Sequence, residues 1–221
     1  MHRQLVFRRG MREYAALVRA QRSALQPSED LLSRLVYGWG NSGWSAGNDY
    51  AAACVREAAT STGSILECGS GLTTLLVGLV CKSNGTTLHT LEHHQAWWAH
   101  VKGWVDRLGI EGAVNLHYSP LIDHGEFDWY SVPMGALPPR FSLVLCDGPP
   151  ETTRGGRIGL VPLLRQHLDG ALVLLDDVER PRETEIARIW RETHGATVEI
   201  RPGEAESGAR GYARLRFPDR S

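Results

Sequence analysis

The sequence predicts an α/β fold: a doubly wound, mostly parallel sheet with helices on both faces. Two observations carry this. Short runs that are apolar throughout, rather than alternating, suit strands buried on both faces, which is the condition of a parallel sheet. Stretches with helical periodicity alternate with them, and right-handed crossovers turn such a succession into a doubly wound sheet.

The elements follow in order. Met11, Tyr14, Ala15, Leu17, Val18 and Leu25 recur at helical spacing, and Pro27 ends the run. Tyr37-Gly-Trp-Gly-Asn-Ser-Gly-Trp44 is too glycine-rich for a helix. A helix from Asn48 to Ala59 is closed by Ser-Thr-Gly63. Strands are then expected at Ser64–Cys68, Thr86–Leu91 and Ala113–Tyr118, separated by helices at Leu72–Cys81 and Gln95–Leu108. The alternation resumes with strands at Phe141–Cys146, Ala171–Leu175, Thr197–Ile200 and Gly211–Phe217, and helices at Ile158–Leu168 and Glu183–Thr193. Between the two halves runs an irregular connection, Ser119–Arg140, rich in proline and carrying Phe127, Trp129 and Tyr130. Connections of this length are lids or disordered segments, and the aromatics argue for order. One domain, 1–221, accommodates all of this, with an N-terminal helical extension over 1–62 and a core over 63–221.

A hydrophobic content of 42%, a charged content of 22% and a formal net charge of -1 describe a soluble globular chain and point to neither nucleic acid nor a membrane as partner. Arg3, Arg8, Arg9, Arg12, Arg19 and Arg22 crowd the start; they read as the solvated face of a helix and a frayed terminus. Cys54, Cys68, Cys81 and Cys146 form no C-x-x-C pair, so buried free thiols and a reducing compartment are expected. With no signal-like apolar region and no membrane-length stretch, the expected location is cytoplasmic.

In open α/β sheets, ligands bind beyond the carboxyl ends of the strands where strand order reverses. The first strand delivers Glu67-Cys-Gly69-Ser70-Gly71 there. Gly69 permits a sharp turn, and Gly71 permits close approach of a ligand to the backbone ahead of the next helix. Glu92, 21 positions after Gly71, ends the second strand, where a carboxylate can accept both hydroxyls of a ribose. Thr74 occupies the place of the third small residue in G-x-G-x-x-G, which disfavours a dinucleotide. Glu67 would also repel a pyrophosphate, whereas it would attract a cationic ligand.

Ile65-Leu-Glu-Cys-Gly-Ser-Gly-Leu-Thr-Thr74 resembles the first motif of class I S-adenosylmethionine-dependent methyltransferases; Leu91-Glu92 resembles their second, acidic motif, and Phe141-Ser-Leu-Val-Leu-Cys-Asp147 their fourth-strand motif. The likeness covers about 64–193. Asp147-Gly-Pro-Pro150 followed by Leu174-Leu-Asp-Asp177 is most similar to small bacterial catechol-type and macrolide-sugar O-methyltransferases. The resemblance implies a seven-stranded Rossmann-like sheet whose last strand is antiparallel. It also implies S-adenosyl-L-methionine as cofactor, with Glu67, Gly69, Ser70 and Gly71 at its amino acid end, Glu92 at the ribose, and Ser119 and Leu121 beside the adenine. A helix-dipole partnership is the other reading of Glu67. Removing the Glu92 carboxylate is expected to weaken cofactor binding while leaving stability nearly unchanged.

Asp147, Asp176 and Asp177 end two strands expected to be neighbours, so three carboxylates converge on one pocket edge. Unpaired, they would call for a cation, and all-oxygen ligation favours Mg2+, which in catechol-type enzymes lowers the pKa of the acceptor hydroxyl. Separate structural use of each aspartate is the alternative. Arg154, Arg157 and Arg180 are near in sequence but on segments of undetermined direction; Arg154 and Arg157 could instead clamp an anionic acceptor or lie in a solvated loop. Pro150 stands where the catechol-type enzymes keep a lysine base, which disfavours catechol and leaves Asp147 as the catalytic candidate. His94 and His124 are alternative bases or surface residues, and Trp39 and Trp44 either close over the cofactor or pack the extension. The expected activity is O-methylation of a small-molecule acceptor, by a monomer or a homo-oligomer. A nicotinamide-dependent oxidoreductase and a non-catalytic S-adenosylmethionine-binding protein are the rivals.

Overall fold

A computed structural model describes residues 2–21, 24–41, 46–203 and 211–219. Three helices open the chain: α1 (His2–Gln21), α2 (Glu29–Trp39) and α3 (Asn48–Thr60). They are followed by β1 (Ile65–Cys68), α4 (Leu72–Asn84), β2 (Leu88–Glu92), α5 (Gln95–Leu108) and β3 (Val114–Tyr118). A hairpin of β4 (Leu121–Asp123) and β5 (Asp128–Tyr130) precedes β6 (Leu143–Cys146), α6 (Leu160–Leu164), β7 (Leu172–Leu175), α7 (Pro181–His194), β8 (Thr197–Arg201) and β9 (Tyr212–Arg216).

The seven-stranded sheet has the order β3-β2-β1-β6-β7-β9-β8. All pairs are parallel except those of β9, which runs antiparallel to β7 and β8. Strand order reverses between β1 and β6. Alternate strand residues face opposite sides, as the pleat requires. Ile65, Leu143 and Leu145 thus join a cluster with α1–α5, while Leu66, Val144 and Cys146 join one containing Trp129 and Trp190. All four cysteines are free and buried, and no helix among the described residues is long and apolar enough to cross a membrane.

Three local expectations differ from the structure. α1 begins at His2 and carries Phe7, Met11, Tyr14 and Val18 into the core, so the arginine-rich start is an integral helix rather than a frayed one. α2 forms despite Gly38, because Ser28 caps it by accepting from the Leu31 N–H at 3.2 Å, Glu29 and Asp30 sit in its positive first turn, and Leu31, Leu32 and Leu35 bury one face. The helix expected over 158–168 is reduced to α6 with tighter turns on either side, whereas the 119–140 connection is ordered, as its aromatics argued, by β4–β5 pairing, Leu121 opposite Tyr130.

Candidate functional site

Register assembles the site. Beyond the strands the ladder continues by one bond each: Ser119 N–H donates to Glu92 O at 2.7 Å, Gly69 N–H to Leu91 O at 2.9 Å, and the N–H groups of Asp147 and Asp176 to Cys68 O and Cys146 O, each at 3.1 Å. Ser119, Glu92, Gly69, Asp147 and Asp176 therefore stand side by side along the carboxyl edge of the sheet. A cavity of about 550 Å³ opens there, a size suited to a small-molecule cofactor. Gly69, Ser70, Glu92, Asp147, Asp176 and Asp177 all line it.

The turn after β1 is held from two sides. Gly69 has φ +89, and a Cβ there would come within 3.3 Å of the Gly148 backbone, so only glycine fits without strain. Glu92 accepts from the Ser70 N–H at 3.0 Å and the Ser70 hydroxyl at 2.7 Å through Oε2, and from the His94 N–H at 2.8 Å through Oε1. His93 Nδ1 lies 3.3 Å from Oε1, an electrostatic contact without hydrogen-bond geometry. Burial raises the Glu92 pKa, but these interactions outweigh it and hold the carboxyl below its ordinary value.

Glu67 does not line the cavity. It is buried beneath the turn, where Oε1 accepts from the Thr73 hydroxyl at 2.6 Å and Oε2 from the hydroxyls of Thr74 and Thr90 at 2.7 and 2.8 Å. Thr74 in turn accepts from the Gly71 N–H at 2.9 Å. The expected direct hold of Glu67 on a ligand is thus replaced by a brace that ties β1, β2 and the first turn of α4 together. Gly71, with φ -178, is extended, and the space beside its Cα is open for 4 Å. Ser119 and Leu121 are also outside the cavity wall: the Ser119 hydroxyl is buried without a partner, and half-buried Leu121 packs on the second apolar cluster.

The aspartate cluster contains protein cations. One oxygen from each of Asp147, Asp176 and Asp177 falls within 4.8 Å of the others. Arg157, 1% exposed, reaches in from the loop after β6. Its Nη2 donates to Asp147 Oδ1 at 3.2 Å, Asp147 O at 2.8 Å and Asp177 Oδ2 at 2.9 Å, while Nη1 donates to Asp176 O at 2.6 Å. Arg180 Nη1 is also 2.9 Å from Asp177 Oδ2. An ion bridging Asp147 and Asp177 would need the place that Nη2 occupies. At about 4 Å and an effective dielectric of about 20, that guanidinium's repulsion of a divalent ion, on the order of 8 kcal/mol, cancels the attraction of one carboxylate. With Arg157 seated, the space between Asp147 Oδ1 and Asp177 Oδ2 is not open to magnesium. The remaining negative charge is met by a proton on Asp176, which burial drives well above the usual carboxylate range. Burial pushes Asp147 only up to about 6, with Arg157 opposing and Asp177 adding to the rise, so it is largely ionised at neutral pH.

Neither arginine is a clamp for an acceptor. Arg157 is committed to the aspartates, and Arg154 pairs with Asp123 and Asp128, each at 2.6 Å, outside the cavity. His94 caps α5 by accepting from the Trp97 N–H at 3.2 Å, and His124 stacks on Phe127 away from the cavity. Trp39 packs on Phe7, Trp97 and Trp104 rather than over the site, while Trp44 lies outside the described residues. Several cavity residues escaped their signal, His93, Glu151, Thr152 and Tyr130 among them. Tyr130, brought in by the hairpin, has a buried hydroxyl with no partner, and a side chain on Gly148 would collide with it. A short aromatic strand within a proline-rich connection was its only trace in the sequence.

No family model matches the chain, and no curated protein matches it. Solved structures do. A Podospora anserina methyltransferase with SAH (S-adenosylhomocysteine) bound is 14% identical, with a TM-score of 0.62 over 95% of this chain and 88% of that one. A Bacillus cereus O-methyltransferase in complex with SAH is 12% identical, with a TM-score of 0.60 over 94% and 99%. A Geobacter metallireducens precorrin-6Y C5,15-methyltransferase is 12% identical, with a TM-score of 0.53 over 79% and 93%. The chain has the Rossmann-like fold of these methyltransferases.

Proposed function

We propose that the protein is an S-adenosylmethionine-dependent methyltransferase acting on an oxygen of a small molecule, with no metal requirement. The carrying observation is the register that sets Gly69, Ser70, Glu92 and Asp147 around one cavity at the switch point of this fold. The cavity suits a cationic cofactor, since five carboxyls, those of Glu92, Asp147, Glu151, Asp176 and Asp177, border it against two guanidiniums, Arg157 and Arg180. The cofactor, when bound, supplies an electrophilic methyl on a sulfonium, which leaves as a neutral thioether.

Gly69 and Ser70 receive its amino acid end in this reading, and Glu92 the ribose hydroxyls. Ligand-free, Glu92 already accepts three hydrogen bonds, so the diol replaces the Ser70 hydroxyl rather than filling a vacancy. Asp147, whose side chain keeps 26% of its exposure, accepts the acceptor's proton as the new carbon–oxygen bond forms. Arg157 holds that carboxyl at a set angle and stabilises its ionised form. Rate then comes chiefly from in-line placement and exclusion of water.

Calorimetric titration tests the reading. S-adenosylmethionine and S-adenosylhomocysteine should bind and NAD should not; binding of NAD with no response to S-adenosylhomocysteine would overturn it. A screen of hydroxylated small molecules with methyl-labelled cofactor then identifies the acceptor.

A further inference from the structure

The arginine stripe of α1 does not face open solvent alone. Arg8, Arg12 and Arg19 recur at helical spacing beside the buried stripe, and with Lys82 near the end of α4 and Arg107 near the end of α5 they rim a cavity of about 630 Å³. Its floor is apolar, built from Met11, Val18, Leu79 and Trp104. A second cavity of about 400 Å³ has Arg8, Trp104 and Arg107 as a wall in common with it, so the two adjoin as a furrow along α1 from Gln4 to Arg19, crossed where Arg107 lies on Trp104. At 1.5 Å per helical residue the furrow is about 22 Å long.

The charge on this rim is met only by a carbonyl and a ring: Lys82 Nζ donates to Gly109 O at 2.7 Å, and the Arg107 guanidinium lies 5.2 Å over the Trp104 ring. None of the five cations has a carboxylate partner among the described residues, whereas Arg34, Arg154, Arg157, Arg165, Arg188 and Arg214 all do. Three have a local reason: Arg19, Lys82 and Arg107 sit in the last turns of their helices, where exposed carbonyls draw a cation. Arg8 and Arg12, in mid-helix, have none. Gathering like charges around an apolar floor costs self-repulsion that an anionic occupant would relieve. The furrow's length suits an elongated occupant better than a compact metabolite, and its recessed floor suits an inserted ridge better than a lipid surface, which needs protruding apolar side chains.

We propose that this furrow docks an acidic amphipathic helix of a partner protein, its apolar ridge on Trp104 and Leu79 and its flanking carboxylates on the arginines. The proposal is independent of the chemistry at the cofactor cavity. The probe is a fluorescein-labelled peptide of about 15 residues with Leu and Phe on one helical stripe and Glu on both flanks, titrated with the full-length protein by anisotropy. Saturable binding is expected, weakening with added salt and by about tenfold or more, 1.4 kcal/mol per factor of ten, in Arg8→Glu/Arg12→Glu. The same peptide with Lys in place of Glu should prefer that variant. Circular dichroism and thermal melting of the variant report that it folds. No saturable binding, or equal affinity for both proteins, would overturn the proposal. So would arginine-dependent binding of phosphatidylserine vesicles or single-stranded oligouridine that exceeds peptide binding.

Discussion

Asp147 is where the proposed chemistry and the charge balance meet. Asparagine there keeps the shape and the contact with Arg157 but cannot take a proton. Asp147→Asn is expected to lower the turnover rate by about 100-fold or more while the affinity for S-adenosylhomocysteine stays within a few-fold. Equal loss of both would make the carboxylate a binding group instead. Glu67 is shifted in the opposite direction from an ion-paired glutamate. Burial pushes it from 4.5 to about 7, against the lowering pull of three threonine hydroxyls, so the folded state holds this proton more tightly than the unfolded chain. Its contribution to stability is therefore fully present below 4.5 and lost as pH rises through about 7. Glu67→Gln is expected to flatten the fall in denaturation midpoint between about pH 5 and about pH 8; an undiminished slope would show that Glu67 ionises as readily folded as unfolded. Gly69 and Glu92 were legible because each sits at the end of an apolar run, a purely local signal. Arg157 was not, since its reach to three aspartates is decided by how a loop packs under two strands.

Among the elements, the parallel strands were readable from continuous apolar runs, and α5 from its periodicity alone. α6 was not: the expected helix over 158–168 is broken into a short α turn flanked by tighter turns. The β4–β5 hairpin pairs only three residues a side, too few for a pattern to declare. The junction between the β1 turn and β2 changes one sequence-based expectation. With three donors converging on its carboxylate, Glu92 is structural as well as ligand-binding. Glu92→Ala should weaken S-adenosylhomocysteine binding by roughly 2–3 kcal/mol and also lower unfolding free energy by roughly 1–3 kcal/mol, because buried donors are left unmet. Calorimetry and urea titration separate the two. Normal affinity with lowered stability would leave Glu92 a staple only.

At the scale of the whole molecule, the doubly wound arrangement followed from the succession of elements and the handedness of their crossovers, and the antiparallel last strand from the methyltransferase resemblance, whereas the packing of the extension did not, because aromatic contacts between distant helices leave no periodic trace. The guanidinium-filled aspartate cluster predicts that turnover survives EDTA unchanged; loss of turnover restored by added magnesium would show that Arg157 yields its place to an ion. A line of rings links the extension to the site: Phe7 meets Trp39 at 5.3 Å, Trp39 meets Trp97 at 5.7 Å, and the Trp97 indole N–H donates to Ser70 O at 2.8 Å. The indole that carries the cofactor turn is thereby an optical reporter built into the chain. The protein's emission should change on titration with S-adenosylhomocysteine, and that change should vanish in Trp97→Phe above the steady background of the other six tryptophans, so that occupancy of the cavity can be read as light, without a label.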